Sequence, residues 1–381
     1  MHTEPSNLEE IKAARLEGPR RIKIKLSDKE LYNKIYGAWL GRCIGCLLGK
    51  PVEGWEKGKI ESFLRFADAY PLSNYFPYLS HHKNEYKKFN KENRTLLGNI
   101  NSMVRDDDID YTILGLHILE EVGLNFTTND VGSQWLAHLP FLSVYTAERI
   151  AYKNLVNGIE PPKTATYKNP YKEWIGAQIR ADIWGYVSPG LLEAAAGFAY
   201  RDASLSHIKN GIYGEMWVAA MISASFTTSR IDDIIQLGLT EIPRDCKLSK
   251  AIHLVVEESK KNSDWEKTYA KINKKYGWYN PVHTINNATI IAMGLLHSGG
   301  NFERAICITV MGGWDTDCNG ATVGSIMGTI LGAEKIPKKW STCLNDLLET
   351  DVVGIEEKRI SAFAERTHKI AKKHWQKQKG G

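Results

Sequence analysis

The sequence predicts an all-α protein, and three observations carry that prediction. No stretch alternates apolar and polar residues for the length of a useful strand. Apolar residues instead recur at three- and four-residue spacing in one segment after another, with Pro and Gly between them. Two segments also carry a glycine at every fourth position: Gly37, Gly41, Gly45 and Gly49 in one, Gly320, Gly324, Gly328 and Gly332 in the other. That spacing lines each set along one helix face, where a second backbone can approach closely.

The chain has 381 residues, long for one domain but still compatible with one. Its 49 basic and 44 acidic side chains leave a net charge of +5. Part of the excess lies in Arg20-Arg21-Ile22-Lys23-Ile24-Lys25 and in the lysine-rich end of the chain. Such tails can touch polyanions, but solvated, fraying termini are the plainer expectation. No specific nucleic-acid motif is present. No apolar run reaches about 18 residues, so no membrane span is expected. The N-terminus is polar and mixed in charge, unlike a signal peptide. Six cysteines in a chain of this size are no disulfide framework, and a reducing cytoplasmic location is expected. Cys43 and Cys46 form a lone CxxC inside an apolar helical run and are read as core residues.

Residues 1–27 read as a polar N-terminal extension, helical around Leu8 to Leu16. A helix start at Ser27-Asp28 opens the first glycine helix, which runs through Leu31, Ile35 and Trp39 until Gly49-Lys50-Pro51 stops it. Arg42 interrupts its apolar run, so a tightly packed soluble helix is expected rather than a membrane dimer motif. Glu53 is left on a loop at the end of a buried element, where a rigid scaffold can present it. Residues 54–105 read as a long loop with short helices, either a lid or a structural insertion, with His81-His82 exposed. The acidic run Asp106-Asp107-Asp108-Ile109-Asp110 then leads a helix marked by Ile113, Leu116, Leu119 and Val122 and closed by Gly123.

The pattern stays helical from 128 to 160, where Pro161-Pro162 breaks it. A connector over 163–190 ends in Ser188-Pro189-Gly190. Helices are expected over 191–201 and 213–226, as a pair across Pro243 within 231–260, and over 265–276, 283–296 and 302–310. His207 follows a helix end, where a hydrogen-bonded structural histidine is the plainer expectation. Ile336-Pro337 is expected to end the second glycine helix. The expected division is the extension 1–27, a single all-α domain 28–350, and a C-terminal helix with a basic tail over 351–381.

The chemistry is in the acids. One or two at a helix N-terminus complement its dipole and cap its free N–H groups. Asp106, Asp107, Asp108 and Asp110 fill four of five positions, and their mutual repulsion calls for a counter-charge such as a divalent cation. Asp315-Thr316-Asp317 lies in a glycine-flanked turn, Gly312-Gly313-Trp314 before it and Cys318-Asn319-Gly320 after it. In an extended stretch these alternate side chains share a face. Because each acidic segment abuts a glycine helix or a helix start, close packing of the glycine helices is expected to join Glu53 to Asp315. An oxygen-rich site of this kind suits Mg²⁺ or Mn²⁺, often in pairs, which orient substrate oxygens and activate water. EF-hand and Walker spacings are absent.

These residues resemble the ADP-ribosylglycohydrolase family, of the dinitrogenase-reductase-activating glycohydrolase and crystallin J1 type. Three blocks carry the resemblance: Gly37-Ala38 through Gly49-Lys50-Pro51-Val52-Glu53, the acids at 106–108, and Gly313-Trp314-Asp315-Thr316-Asp317-Cys318-Asn319-Gly320-Ala321 with its glycine helix. Ser204 to His207 and Asn286-Asn287-Ala288 agree more weakly. The resemblance implies a compact bundle around a cleft holding two Mg²⁺ or Mn²⁺ ions, and hydrolysis of the bond between ADP-ribose and an acceptor. The partner would be an ADP-ribosylated protein or a small ADP-riboside. It also implies metal ligation by Asp106, Asp107, Asp108, Asp315 and Asp317, catalytic roles for Glu53, Asp107 and Asp315, and substrate contacts at Trp314, Ser188, Gly190, His207 and Asn319. The chain departs from the family pattern at Asp106, where threonine is common, at Cys318, where threonine or serine is common, and at Cys46, where aspartate is usual. A non-catalytic relative, or a hydrolase of another ribosyl compound such as a nucleoside, is the alternative expectation.

Overall fold

Two antiparallel glycine helices form the spine of a computed structural model that describes residues 4–79, 89 and 94–377. The first, Asp28–Gly49, starts at a reciprocal capping box in which Ser27 accepts from the Glu30 N–H and Glu30 accepts from the Ser27 N–H. The second is Thr316–Leu331. A Cβ built on Gly41 would lie 2.1 Å from the Gly324 carbonyl oxygen, and one on Gly37 would lie 2.3 Å from that of Gly328. At such separations only hydrogen fits, so the ladders read from the sequence let the two backbones touch. The end of one helix, at Gly49, is thereby set against the start of the other at Thr316, whose hydroxyl donates to the Gly49 carbonyl (2.8 Å).

Other helices wrap this pair. Asn210–Ser225 and Thr284–Leu296 are buried almost all round, as their continuous apolar composition requires. The C-terminal helix Ile360–Lys377 packs on the first glycine helix, with Phe363 stacked on Trp39 (centroids 5.5 Å apart) and the Trp39 indole N–H donating to Thr367 (3.0 Å). The described residues contain helices and isolated bridges and no β-strand, which is the all-α class read from the sequence. None of their helices is long and apolar enough to cross a membrane.

The structure corrects four local expectations. Residues 4–27 are docked, not frayed: Ile11 and Ile24 are buried, and Arg15 and Arg20 both reach the buried carboxylate of Glu241. The helical stretch 128–160 is two helices, Thr128–His138 and Thr146–Val156, parted at Pro140, whose ring cannot supply the N–H a continuous helix needs. The second glycine helix ends at Gly332, with φ 76°, before Ile336-Pro337 is reached. Asp315 and Asp317 do not share an extended stretch: Asp315 is the N-cap and Asp317 stands in the first helical turn. His81-His82 lies outside the described residues.

Candidate active site

The acids converge because backbone, not side chain, joins their segments. Gly313 and Trp314 have φ of 80° and 66°, a left-handed turn. A Cβ on Gly313 would meet the Trp55 carbonyl at 2.6 Å, so only glycine fits there. The Trp314 N–H donates to the Trp55 carbonyl (2.8 Å) and the Gly54 N–H donates to the Trp314 carbonyl (2.8 Å). These two bonds stitch the Glu53 loop to the Asp315 turn. Asn287 clamps the turn from a third helix: its Oδ1 accepts from the Asp315 N–H (3.2 Å) and from Asn319 Nδ2 (2.7 Å). Its Nδ2 is held by the Pro281 and His283 carbonyls.

The acid-led helix Asp107–Glu121 brings the other carboxylates. Asp106 is its N-cap, accepting from the Asp108 N–H with Oδ1 (3.0 Å), while Oδ2 takes the Lys50 ammonium. Asp108 is held by Arg42, which donates to its Oδ1 (3.2 Å) and its carbonyl (2.8 Å) and pairs with Asp182 (2.7 Å). Asp110 turns away to Arg105, Thr350 and the Asp351 N–H, a structural role.

The result is a cavity of about 310 Å³ walled by Lys50, Glu53, Asp106, Asp107, Asp315 and Asp317 on one part. Tyr145, Trp174, Ile175 and Val282 form a less polar part of the wall. Ligand-capable atoms of Glu53, Asp315 and Asp317 all lie within 4.8 Å of one another, as do those of Asp108, Asp317 and Cys318, and those of Cys46, Asp106 and Asp108. Asp317 is common to the first two groups. Among the described residues, buried Asp108 Oδ2, Asp315 Oδ1 and Asp317 Oδ1 have no hydrogen-bond partner. Orphaned carboxylate oxygens are costly in a protein interior. A divalent cation answers all three, so the residues present fit one.

The electrostatics agree. Burial pushes the Asp315 carboxyl well above the usual range, and Asp317 and Glu53 add to it. Burial, with Asp106 behind it, lifts Asp317 to about 6. Glu53 is raised to about 9, first by the charge of Asp317 and then by burial. Since Glu53 is exposed at the rim, the neighbouring charge is the dominant cause. Asp107 and Asp108 are also pushed well up by burial. At Asp106 the burial effect is overridden by Lys50, which holds that carboxyl low. Carboxyls crowded like this share protons until a cation replaces them.

Not every candidate residue is brought to the cavity. Asp107 lines it but belongs to none of the three close groups. Asn319 is one helical turn from Asp315 and braces the turn through Asn287. Trp314 is buried with its ring 6.1 Å from that of Tyr269 and forms no part of the wall. Gly190 seats the N-terminal segment instead, its carbonyl accepting from the Ile22 N–H (2.7 Å), and the Ser188 carbonyl accepts from the Ser223 hydroxyl (2.5 Å). His207 lines a separate cavity of about 840 Å³ with Pro161, Pro162 and Tyr200, and its Nε2 is 3.9 Å from Glu148, which does border the acidic one.

Sequence reading gave no site role to Lys50, Arg42 or the buried Arg180, which holds Glu148 (2.7 Å) and Asp202 (2.5 Å). A lone arginine in an apolar helix was the available signal, because a charge is carried into a core only with a partner. Cys46, read as a core residue, is buried but also borders Asp106 and Asp108.

The fold and site define an all-helical protein with a buried carboxylate cavity suited to divalent cations. The chain belongs to the ADP-ribosylglycohydrolase family, whose model matches residues 27–377. A solved structure described as an ADP-ribosylglycohydrolase-related protein complex shares the fold, with a TM-score of 0.56 at 18% identity over 90% of this chain and 99% of that one. None of the curated proteins matches the chain.

Proposed function

We propose that the protein is a Mg²⁺- or Mn²⁺-dependent hydrolase of the glycosidic bond between ADP-ribose, or a related ribosyl group, and an acceptor. Family membership supports glycosidic hydrolysis. The observation that carries the metal dependence is the pair of three-residue donor groups sharing Asp317, with partnerless oxygens on Asp108, Asp315 and Asp317.

Asp315, Asp317 and Asp108 would hold the ions, with Glu53 at the edge of the first group. Divalent ions bound there supply positive charge that orients ribose hydroxyls and acidifies water. The remaining work falls to the chain's own residues. Before substrate arrives, Arg42 fixes the Asp108 and Asp182 carboxylates (3.2 and 2.7 Å), and Asn287 fixes the Asp315 turn by accepting from the Asp315 backbone N–H and Asn319 Nδ2 (3.2 and 2.7 Å). Trp174, Ile175 and Val282 keep one wall dry around the developing oxocarbenium charge. Glu53, on the rim, takes the proton of the attacking water. The acceptor would be a side chain of an ADP-ribosylated protein or a small aglycone at the mouth.

The test is incubation with Mg²⁺ and a panel of ADP-ribosylated amino acids, peptides, nucleic acids and small ADP-ribosides. ADP-ribose release from at least one, lost in Asp315→Ala, is expected. No release from any would overturn the reading.

A second reading, a non-catalytic ADP-ribose binder, is favoured by Lys50, whose ammonium already neutralises Asp106. Calorimetry separates the two, since tight ADP-ribose binding without turnover supports the second.

A further inference from the structure

The two donor groups that share Asp317 are chemically unlike. Glu53, Asp315 and Asp317 offer oxygen alone. Asp108, Asp317 and Cys318 offer two oxygens and a sulfur, and all three residues are buried. We propose that this second group is a mixed thiolate–carboxylate site that takes a borderline-soft divalent ion, Zn²⁺ or a close relative such as Co²⁺, in preference to Mg²⁺. The inference rests on the cation-binding part of the proposed function and adds which ion these particular residues select.

Four observations carry it. The donors lie within 4.8 Å of one another, while tetrahedral Zn²⁺ with Zn–S near 2.3 Å and Zn–O near 2.1 Å spans O–O and O–S edges of about 3.4–3.6 Å. Small side-chain adjustments suffice. Among the described residues Asp108 Oδ2 and Asp317 Oδ1 are buried without a hydrogen-bond partner, so the group holds oxygens that a cation would satisfy. Asp108 is already oriented to bind one, since Arg42 engages its Oδ1 at 3.2 Å and leaves Oδ2 for another partner. The competing thiol group, Cys46 with Asp106 and Asp108, has a cation of its own, because Lys50 is seated on Asp106.

Softness then decides the ion. Mg²⁺ demands oxygen donors in octahedral array and gains little from sulfur, whereas thiolate favours Zn²⁺ and its neighbours. Three protein donors leave a fourth position open, the arrangement of zinc sites that act on substrates rather than merely brace a fold. Binding replaces the Cys318 thiol proton, which leaves to solvent, and no electron changes hands. The all-oxygen group around Glu53 keeps its preference for Mg²⁺ or Mn²⁺, so the cavity holds two positions of different hardness bridged by Asp317.

The test titrates the full chain, stripped with a chelator, with Co²⁺ and records the near-ultraviolet spectrum. A thiolate-to-cobalt charge-transfer band saturating at one equivalent is expected. It should be bleached by Zn²⁺ but not by the same excess of Mg²⁺. It should be lost in Cys318→Ser, with helical content checked by circular dichroism, and kept in Cys46→Ser and Cys343→Ser. Co²⁺ uptake without the band, no Co²⁺ uptake, a band that survives in Cys318→Ser, or displacement by Mg²⁺ as readily as by Zn²⁺ would each overturn the inference. The wild-type band and the competition need no variant to fold. The spectrum is read independently of turnover. A band without ADP-ribose release keeps the mixed site and sinks the glycohydrolase reading, and Mg²⁺-supported release without a band does the reverse.

Discussion

Gly45 and Gly320 face each other so closely that a Cβ on the first would lie 1.9 Å from the carbonyl oxygen of the second, and one on Gly320 would lie 2.3 Å from that of Gly45. This approach sets the distance between the two glycine helices just before they deliver Glu53 and Asp317. Neither atom in the clash is the end of a flexible side chain, so the backbones must part. Gly45→Ala is expected to destabilise by about 1–3 kcal/mol or more through overpacking. Gly58, where an added Cβ meets nothing within 4 Å, is the control, and Gly58→Ala is expected to be neutral or mildly stabilising. Urea denaturation of both variants measures the difference, and equal midpoints would refute the close-packing argument.

Arg42 is a second pillar. Its guanidinium sits between Asp108 and Asp182 with all three side chains buried. Arg42→Met leaves two buried carboxylates without their cation and is expected to cost about 3–5 kcal/mol. Exposed Arg230→Met, beside Asp233 on the surface, is expected to change stability by less than about 1 kcal/mol. Thermal melts of the two variants check the contrast.

Stability of the chelator-treated protein should depend on pH in a particular direction. Glu53 stands near 9 and Asp317 near 6, both above their ordinary values. The folded state therefore binds more protons than the unfolded chain, and stability falls as pH rises through these values. The stabilisation is complete below the ordinary carboxylate range, is lost between that range and about 6 for Asp317, and continues to be lost up to about 9 for Glu53. Saturating Mg²⁺ favours the ionised forms and should flatten or invert the slope. Melting temperatures between pH 6 and 9, with Mg²⁺ and with chelator, test this. A chelated protein that gains stability with rising pH would contradict it.

Asp317 and Glu53 should fail differently. Asp317 belongs to both donor groups, so Asp317→Asn is expected to abolish the Mg²⁺-dependent rise in melting temperature, a stabilisation of about 2.7 kcal/mol in the wild type at a hundredfold excess over Kd. Glu53→Gln keeps a side-chain oxygen but loses the base, and kcat for ADP-ribose release is expected to drop about 10²–10⁴-fold with ADP-ribose binding retained. Calorimetry and steady-state kinetics on the two variants distinguish the roles.

Much of this architecture is legible in the chain because it is written locally. Glycines at spacing four announce a close helix pair, and the structure pairs Gly37 with Gly328 and Gly41 with Gly324. Acids at a helix start announce Asp106 as a cap. Ser188 and Gly190 escape a sequence reading for the opposite reason. Only the family resemblance pointed to substrate there, and what meets the Gly190 carbonyl, the Ile22 segment, is distant in sequence and close only after folding.

The sequence by itself determined the helical class, the glycine spine and the two acidic segments, since each depends on periodicity or spacing within some twenty residues. Only the tertiary structure decided which acids meet which cations. Lys50 withdraws Asp106, Arg105 withdraws Asp110, and Arg42 leaves one Asp108 oxygen free. It also set the sulfurs of Cys318 and Cys46 beside carboxylates from a distant helix start. The physical reason is range: backbone periodicity is set between near neighbours, whereas the charge environment of a buried carboxylate is set by whatever the fold packs around it from anywhere in the chain.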